Sequence, residues 1–398
     1  MAGITGQGTT YGLPNYTGEL FAITPSETPF LSAIGGLSGG RSILSTEFEW
    51  QYYDLRSSSA NNVAAEGANA PTAGERVRAN ATNVVEIHHS AVEVSYTKQA
   101  ATQLKSGSNN ALMNPVTDEL DWQIQQELKS MAVDVEKSFL SGVYQKPSDN
   151  NTNRQTRGIL TAITTNAIDE KSTLATGATL TDSGDTVTIN AHGLAAGTAV
   201  KLANLATTTG VSNGVEYYVV TPTTNTFQLA ATKGGSPLAL TTNGTADVIL
   251  MPALTKTMVD DLVQTVFDTG AAELNNLVFL VGSRQKRALT KAYAENGTYF
   301  NPAVTAPMSR NVGGVAIDQI VTDFGTFGVM LDRWMPVNTL ALVDLSVCAP
   351  VFLEIPNKGH LFVEPIAKTA AADKYQIYGE IGLEYGSEKR HGQLTNLA

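Results

Sequence analysis

Apolar and polar positions alternate through residues 45–54, where Phe48, Trp50 and Tyr52 share one face and Glu47, Glu49 and Gln51 the other. A period of two predicts a strand. A polar stretch rich in Ala, Gly and Asn runs from Arg56 to Asn83, and a second β-prone run covers residues 84–97. The parity of that run slips between Ile87 and Val92, which predicts a β-bulge. Two strands joined by a long polar tip predict a projecting hairpin. A lone two-stranded hairpin is marginal in water, so this one needs a surface to lean on.

The period then lengthens. Val116, Leu120, Ile124, Leu128, Met131, Val135 and Phe139 recur three and four residues apart, a single apolar stripe that predicts a helix over 115–142. Asn114 suits the N-cap, Pro115 the first helical position, and Asp118, Glu119 and Asp121 the positive end of the dipole. Gly142 supplies a stop. At about 1.5 Å per residue this rod is roughly 40 Å long, a spine for other elements to lie across.

Residues 174–250 have a different composition: 17 threonines, no arginine or tryptophan, and only Lys201 and Lys233 as basic residues. Short β-prone runs at 186–189, 199–202, 215–221, 226–231 and 246–250 alternate with Gly, Asn and Pro turns. This predicts a small all-β module of sandwich or barrel type set into the chain. Its flanks read as one α/β unit. Val259, Leu262, Val263, Val266 and Phe267 form a helical stripe, Leu277 to Val281 is a buried strand, and Ser283 caps a helix reaching Tyr293. From Ile317 onward the pattern is mainly β, notably at 328–331, 340–343 and 375–385.

The first forty residues have only short apolar patches among Gly, Thr and Ser, and Pro25 and Pro29 predict extended chain there. An arm of this kind makes sense lying on a partner surface.

The net charge of −11 and the absence of a basic stripe argue against a dedicated nucleic-acid binder. Charged residues make up 16% of the chain, below the ~25% of ordinary soluble domains, as expected of a protein that hides surface against neighbours. One cysteine, Cys348, excludes an intrachain disulfide framework; its apolar surroundings predict a buried small side chain. The N-terminal residues lack a basic and an apolar region of signal type. The longest apolar stretch, from Trp334 to Leu353, is broken by Pro336, Asn338, Asp344 and Pro350, so a soluble product without membrane contact is expected.

Phosphate-loop, dinucleotide, zinc-protease and serine-hydrolase motifs are missing. His88 and His89 are adjacent in a predicted strand and point to opposite faces, so they cannot chelate one metal together. His192, in Asn190-Ala191-His192-Gly193-Leu194, is expected to serve a turn. Arg284-Gln285-Lys286-Arg287 is a dense basic patch, expected to be an exposed helix face; Asn153-Arg154-Gln155-Thr156-Arg157 reads as a contact loop. No catalytic residue, cofactor or metal site is assigned.

Extended arm, projecting hairpin, spine helix, α/β unit and β-rich close follow in an order that resembles tailed-phage major capsid proteins of the Hong Kong 97 fold. The likeness is carried by Asn15-Tyr16-Thr17-Gly18-Glu19-Leu20-Phe21 and Ile23-Thr24-Pro25-Ser26-Glu27-Thr28-Pro29-Phe30-Leu31 in the arm, then by Glu47-Phe48-Glu49-Trp50 and Thr156-Arg157-Gly158-Ile159. It continues in Leu331-Asp332-Arg333-Trp334-Met335-Pro336 and in the run from Tyr375 to Gly386. The resemblance covers 1–173 and 251–398, while 174–250 looks like a small β module met in other phage structural proteins.

The resemblance implies an α+β fold with an N-terminal arm (1–44), an extended loop (45–97) and a peripheral domain holding the spine helix (98–154). It implies an axial domain (155–173 and 251–345), an inserted β domain (174–250) exposed on the outside, and C-terminal strands completing the peripheral domain (346–398). The implied function is self-assembly, as hexamers and pentamers, into an icosahedral shell around double-stranded DNA. Scaffolding, portal and decoration proteins are the implied partners, scaffolding as a separate protein, and DNA is contacted only weakly and without specificity. Arm and loop would reach over neighbouring subunits, making Phe21, Phe30, Leu31, Phe48, Trp50, Tyr52, Arg76, Arg78, Arg154 and Arg157 the candidate contacts. Competing expectations are an encapsulin-type compartment, a tail-tube subunit, and a glycan-binding protein working through the β insert. A tail tube would be nearly all β and would lack the long helix.

Overall fold

The computed structural model of the chain describes residues 25–53, 63–70, 72, 74–100, 118–149, 151–269, 276–295, 318–368 and 370–398. The chain divides into two compact units, Met1–Thr161 with Val347–Gly386, and Ala162–Ser346 with Ser387–Ala398.

The first unit is built on the strand Ala372–Glu384. Glu86–Ser95 runs antiparallel along one side of it, from Ser95 opposite Ala372 to Glu86 opposite Ile381, without a break in register. On the other side lie Leu361–Pro365 and Ala349–Leu353, and Arg41–Ile43 adds a parallel edge beside the latter. The spine helix, Glu119–Ser141, packs against Glu86–Ser95. It begins at Glu119 rather than Pro115. Asp118, in extended conformation, accepts from the N–H groups of Leu120 and Asp121 and acts as the N-cap. Asn114, Pro115 and Val116 lie outside the described residues. Gly142 ends the helix by close approach, not by a left-handed turn: its φ is −55°, and a Cβ there would stand 2.5 Å from the carbonyl oxygens of Ser138 and Thr156.

Two expectations fail here for physical reasons. The chain around Pro29 is helical, Pro29–Ile34, because proline at the first helical position pre-sets φ and needs no N–H. The expected bulge is absent. Glu86, His88, Ser90, Val92 and Val94 all take inward positions of Glu86–Ser95 while Ile87 faces out, so the alternation is regular and three polar residues occupy the inner face.

The second unit carries a six-stranded sheet in the order Asp318–Thr322, Gly325–Leu331, Leu277–Val281, Leu340–Asp344, Gly392–Thr395, Ala167–Asp169. Leu277–Val281 runs parallel to Gly325–Leu331 and antiparallel to Leu340–Asp344, which explains its continuous apolar run. Helix Lys256–Thr269 places Val259, Leu262, Val263 and Val266 in the core of this unit, whereas Phe267, read as part of the same stripe, is exposed. The final strand pairs with Leu340–Asp344 and Ala167–Asp169, so the C-terminal residues from Ser387 complete this unit rather than the first. Residues up to Thr161, in turn, belong to the first unit.

Between Ala167–Asp169 and Lys256–Thr269 the chain forms a closed barrel in the order Thr226–Ala230, Thr186–Thr188, Ser172–Thr181, Gly244–Met251, Ala199–Ala206, Glu216–Val220. Its first and last strands pair antiparallel, Leu250 opposite Ser172, so the chain enters and leaves at one point. The barrel has its own core, with Leu180, Val187, Val200, Leu202, Val219, Phe227 and Val248 fully buried. Strand Ser172–Thr181 escaped the sequence pattern because Thr, Gly and Ala fill it. His192 holds a turn: its Nδ1 accepts from the Leu194 N–H at 3.0 Å, and its ring stands edge-on to Phe227.

Candidate assembly surface

The hairpin pairs Glu47–Tyr53 with Arg78–Val84, from Glu47 opposite Val84 to Tyr53 opposite Arg78. The returning strand is therefore Arg78–Val84, and the run at 86–95, read as that strand, is a member of the main sheet. Burial declines from root to tip. Phe48 is 5% and Trp50 8% exposed, whereas Tyr52 is 38% and Tyr53 68% exposed. The returning strand matches, with Arg78, Ala79 and Asn80 exposed and Asn83 and Val84 buried.

The root is fixed by shape and by a polar network. Phe48 lies over Gly382, where a Cβ would meet its ring at 2.8 Å. The Trp50 indole N–H donates to the Gly386 carbonyl at 2.6 Å, and its ring meets Tyr385 edge-on at 4.9 Å. Asn83 uses its whole amide: Nδ2 donates to the carbonyls of Arg157 and Leu383, and Oδ1 accepts from the N–H groups of Val84 and Arg157. Thr156 donates its N–H to Glu86 and accepts the Leu383 N–H on its hydroxyl. His88 Nε2 approaches Glu86 at 2.8 Å.

Arg154 and Arg157 serve this root. Arg154 pairs with Glu380 at 2.6 Å, and Tyr378 donates to the same carboxylate. Burial and that hydrogen bond push the Tyr378 phenol up to about 12. The Arg157 guanidinium lies 4.7 Å from the Tyr144 ring centre and reaches the Tyr385 hydroxyl.

Phe30 and Leu31 are fully buried in their own unit, their N–H groups bonded to Glu136 of the spine helix. Six of the ten candidate contacts (Phe30, Leu31, Phe48, Trp50, Arg154 and Arg157) thus hold the chain's own elements together, and Phe21 lies outside the described residues. Tyr52, Arg76 and Arg78 remain exposed on the hairpin, beside Tyr53 and Val77. Asn83, Glu86 and Glu136 were not singled out from sequence, and Thr156 entered only as a member of the contact-loop and family-likeness motifs. Glu136 alone left a signal, a carboxylate inside an apolar stripe between Val135 and Phe139.

A model of the SU10 major capsid protein family matches residues 3–398. The chain belongs to that family. The major capsid protein of Escherichia phage Phieco32 is 30% identical over 128 residues, which is 32% of this chain and 32% of that relative. The match spans about a third of the relative's length. Among solved structures, the capsid asymmetric unit of Cyanophage A-1(L) has a TM-score of 0.52 at 12% identity, covering 98% of each chain. The capsid of a native GTA particle has a TM-score of 0.50 at 14% identity, covering 98% of this chain and 96% of that one. These similarities show the fold, the α+β capsid fold of Hong Kong 97 type. The family is one of structural shell proteins rather than enzymes, and the place of this capsid protein is the virion shell.

Proposed function

We propose that this capsid protein assembles with copies of itself into a closed icosahedral shell around double-stranded DNA, its hairpin laid across neighbouring subunits. The observation that carries this is the hairpin itself. Its root is rigidly joined to its own unit, yet beyond Trp50 it offers Tyr52, Tyr53, Val77 and Arg78 to its surroundings. Two paired strands with exposed aromatic side chains are unstable in isolation. A neighbouring surface would bury them, and closed repetition of one such contact yields a shell. On this reading the first unit is the peripheral domain and the sheet of the second the axial domain. The barrel is an inserted module displayed outside, while scaffolding, portal and decoration proteins supply the remaining contacts. The acidic balance of the chain suits DNA that is enclosed but not gripped.

The test is electron microscopy with sedimentation of the full chain, expressed alone and with the genes beside it. Closed shells, or hexamer and pentamer rings, are the expected products. Tubes of constant width, or a monomer under every condition, would overturn the proposal.

A further inference from the structure

The basic motif near residue 285 sits in an unusual place for a chain of net charge −11. Helix Ser283–Glu295 carries no acidic residue in its first turn, and Ser283, Arg284, Arg287, Ala288 and Lys291 follow one another at spacings of one and three along one face. That face lines a cavity of about 590 Å³ together with Lys233 from the turn after barrel strand Thr226–Ala230. Four cationic side chains from two separate elements converge on one space.

Arg284 has a visible place in folding. Arg284 makes a two-pronged pair with Glu216 of the barrel, 2.8 Å from Nη1 and 2.5 Å from Nη2. Burial opposes charge on Glu216, but the hydrogen bonds from Arg284 and Tyr218 hold its carboxyl below the ordinary range. Arg284 is thereby fixed at the rim as a joint between helix and barrel. Lys233 and Arg287, by contrast, have no carboxylate partner among the described residues. The stem of Lys233 is also held in place. It crosses Gly197, where φ is +83° and a Cβ would come within 3.0 Å of the lysine Cε. Arg287 and Lys291 are like charges four residues apart, an arrangement that weakens a helix. Small Ala288 between them leaves the space open.

We propose that this cavity binds closely spaced phosphate groups, held by Lys233, Arg287 and Lys291. Arginine forks and lysine point charges are the usual means of binding phosphate oxygens. Their origin in two separate elements fits a ligand with more than one phosphate. The source is either a free polyphosphate or a nucleic-acid backbone.

The experiment titrates tripolyphosphate into the full chain by calorimetry at low and at high salt, with wild type, Lys233→Ala, Arg287→Ala and Arg287→Glu. Lys171→Ala removes the same charge outside the cavity and serves as control. One saturable site per chain is expected, weakened about tenfold or more by either alanine variant, abolished by Arg287→Glu and unchanged by Lys171→Ala. Binding should fall as salt rises. Absence of saturable binding, or equal weakening by the Lys171 control, would overturn the assignment. Competition by short duplex DNA names a nucleic-acid source, and failure to compete names a free polyphosphate.

Discussion

The carboxylate of Glu136 accepts the Phe30 N–H at 2.9 Å on one oxygen and the Leu31 N–H at 2.6 Å on the other. Thr28, at the N-cap of Pro29–Ile34, makes no side-chain cap, so a residue more than a hundred positions away does that work. A charged acceptor at the positive end of the short helix also complements its peptide dipoles. Glu136→Ala strands two buried donors and should destabilise the first unit by on the order of 3 kcal/mol. Glu136→Gln keeps one good acceptor and should cause a smaller loss. Urea unfolding of both variants checks the ranking; equal stability of all three proteins would mean the helix is held by packing alone.

Asn83 offers a sharper test of the hairpin root, because both its donors and its acceptor oxygen are occupied. Asn83→Asp has the same shape but turns an oxygen toward the carbonyls of Arg157 and Leu383, so acceptor meets acceptor. It should be as damaging as Asn83→Ala, each about 2–4 kcal/mol. Hydrogen exchange at Val84 and Arg157 amides should rise in both variants. A stable Asn83→Asp protein would show that the network tolerates a carboxyl group.

Much of the second unit was legible because its elements obey local rules. Leu277–Val281 is a continuous apolar run and Lys256–Thr269 a stripe, and both stand where periodicity puts them. The hairpin root was not legible for the opposite reason. Glu86 and His88 occupy inward positions that a hydrophobic pattern assigns to apolar residues, so the alternation looked broken when it was intact. The returning strand Arg78–Val84 is polar along most of its length, and its partner identifies it, not its own composition. Phe48 and Trp50, read as contacts between subunits, prove buried against Gly382, Tyr385 and Gly386, contacts separated by more than three hundred residues that no local pattern encodes.

Gly382 and Phe48 should be coupled energetically. Gly382→Ala places a methyl group 2.8 Å from the Phe48 ring and 3.0 Å from the Val84 carbonyl oxygen, which forces the hairpin root outward. Overpacking of this kind costs about 1–3 kcal/mol, and Phe48→Ala alone about 3–5 kcal/mol through the cavity it leaves. The double variant should lose less than the sum, since the small side chain at 48 relieves the clash. A strictly additive double-mutant cycle by thermal unfolding would contradict this packing.

Tyr53 and Arg78, opposite each other near the hairpin tip, lie outside the folding core. Tyr53→Ser with Arg78→Glu should leave unfolding of the isolated chain within about 0.5 kcal/mol of wild type. The same double variant should lower the yield of closed particles several-fold in sedimentation. Unchanged particle yield would remove the hairpin tip from the assembly contact.

Acid should loosen the second unit through Glu388. Its carboxylate accepts from the N–H groups of Thr164 and Thr165 and from the Thr165 hydroxyl. Burial raises its pKa, but these hydrogen bonds outweigh burial and hold the carboxyl below its ordinary value of 4.5. With the folded value lower than the unfolded one, the stabilisation is fully present above the unfolded pKa and is lost as pH falls through the folded pKa. The window therefore opens near pH 4.5 and extends downward. Glu388→Gln removes this titration and should flatten part of the stability curve between about pH 5 and pH 3, with lower stability than wild type at neutral pH. Thermal unfolding of both proteins across that range reads the difference, which should shrink steadily with acid. A constant gap at every pH would mean that Glu388 acts through its shape and not its charge.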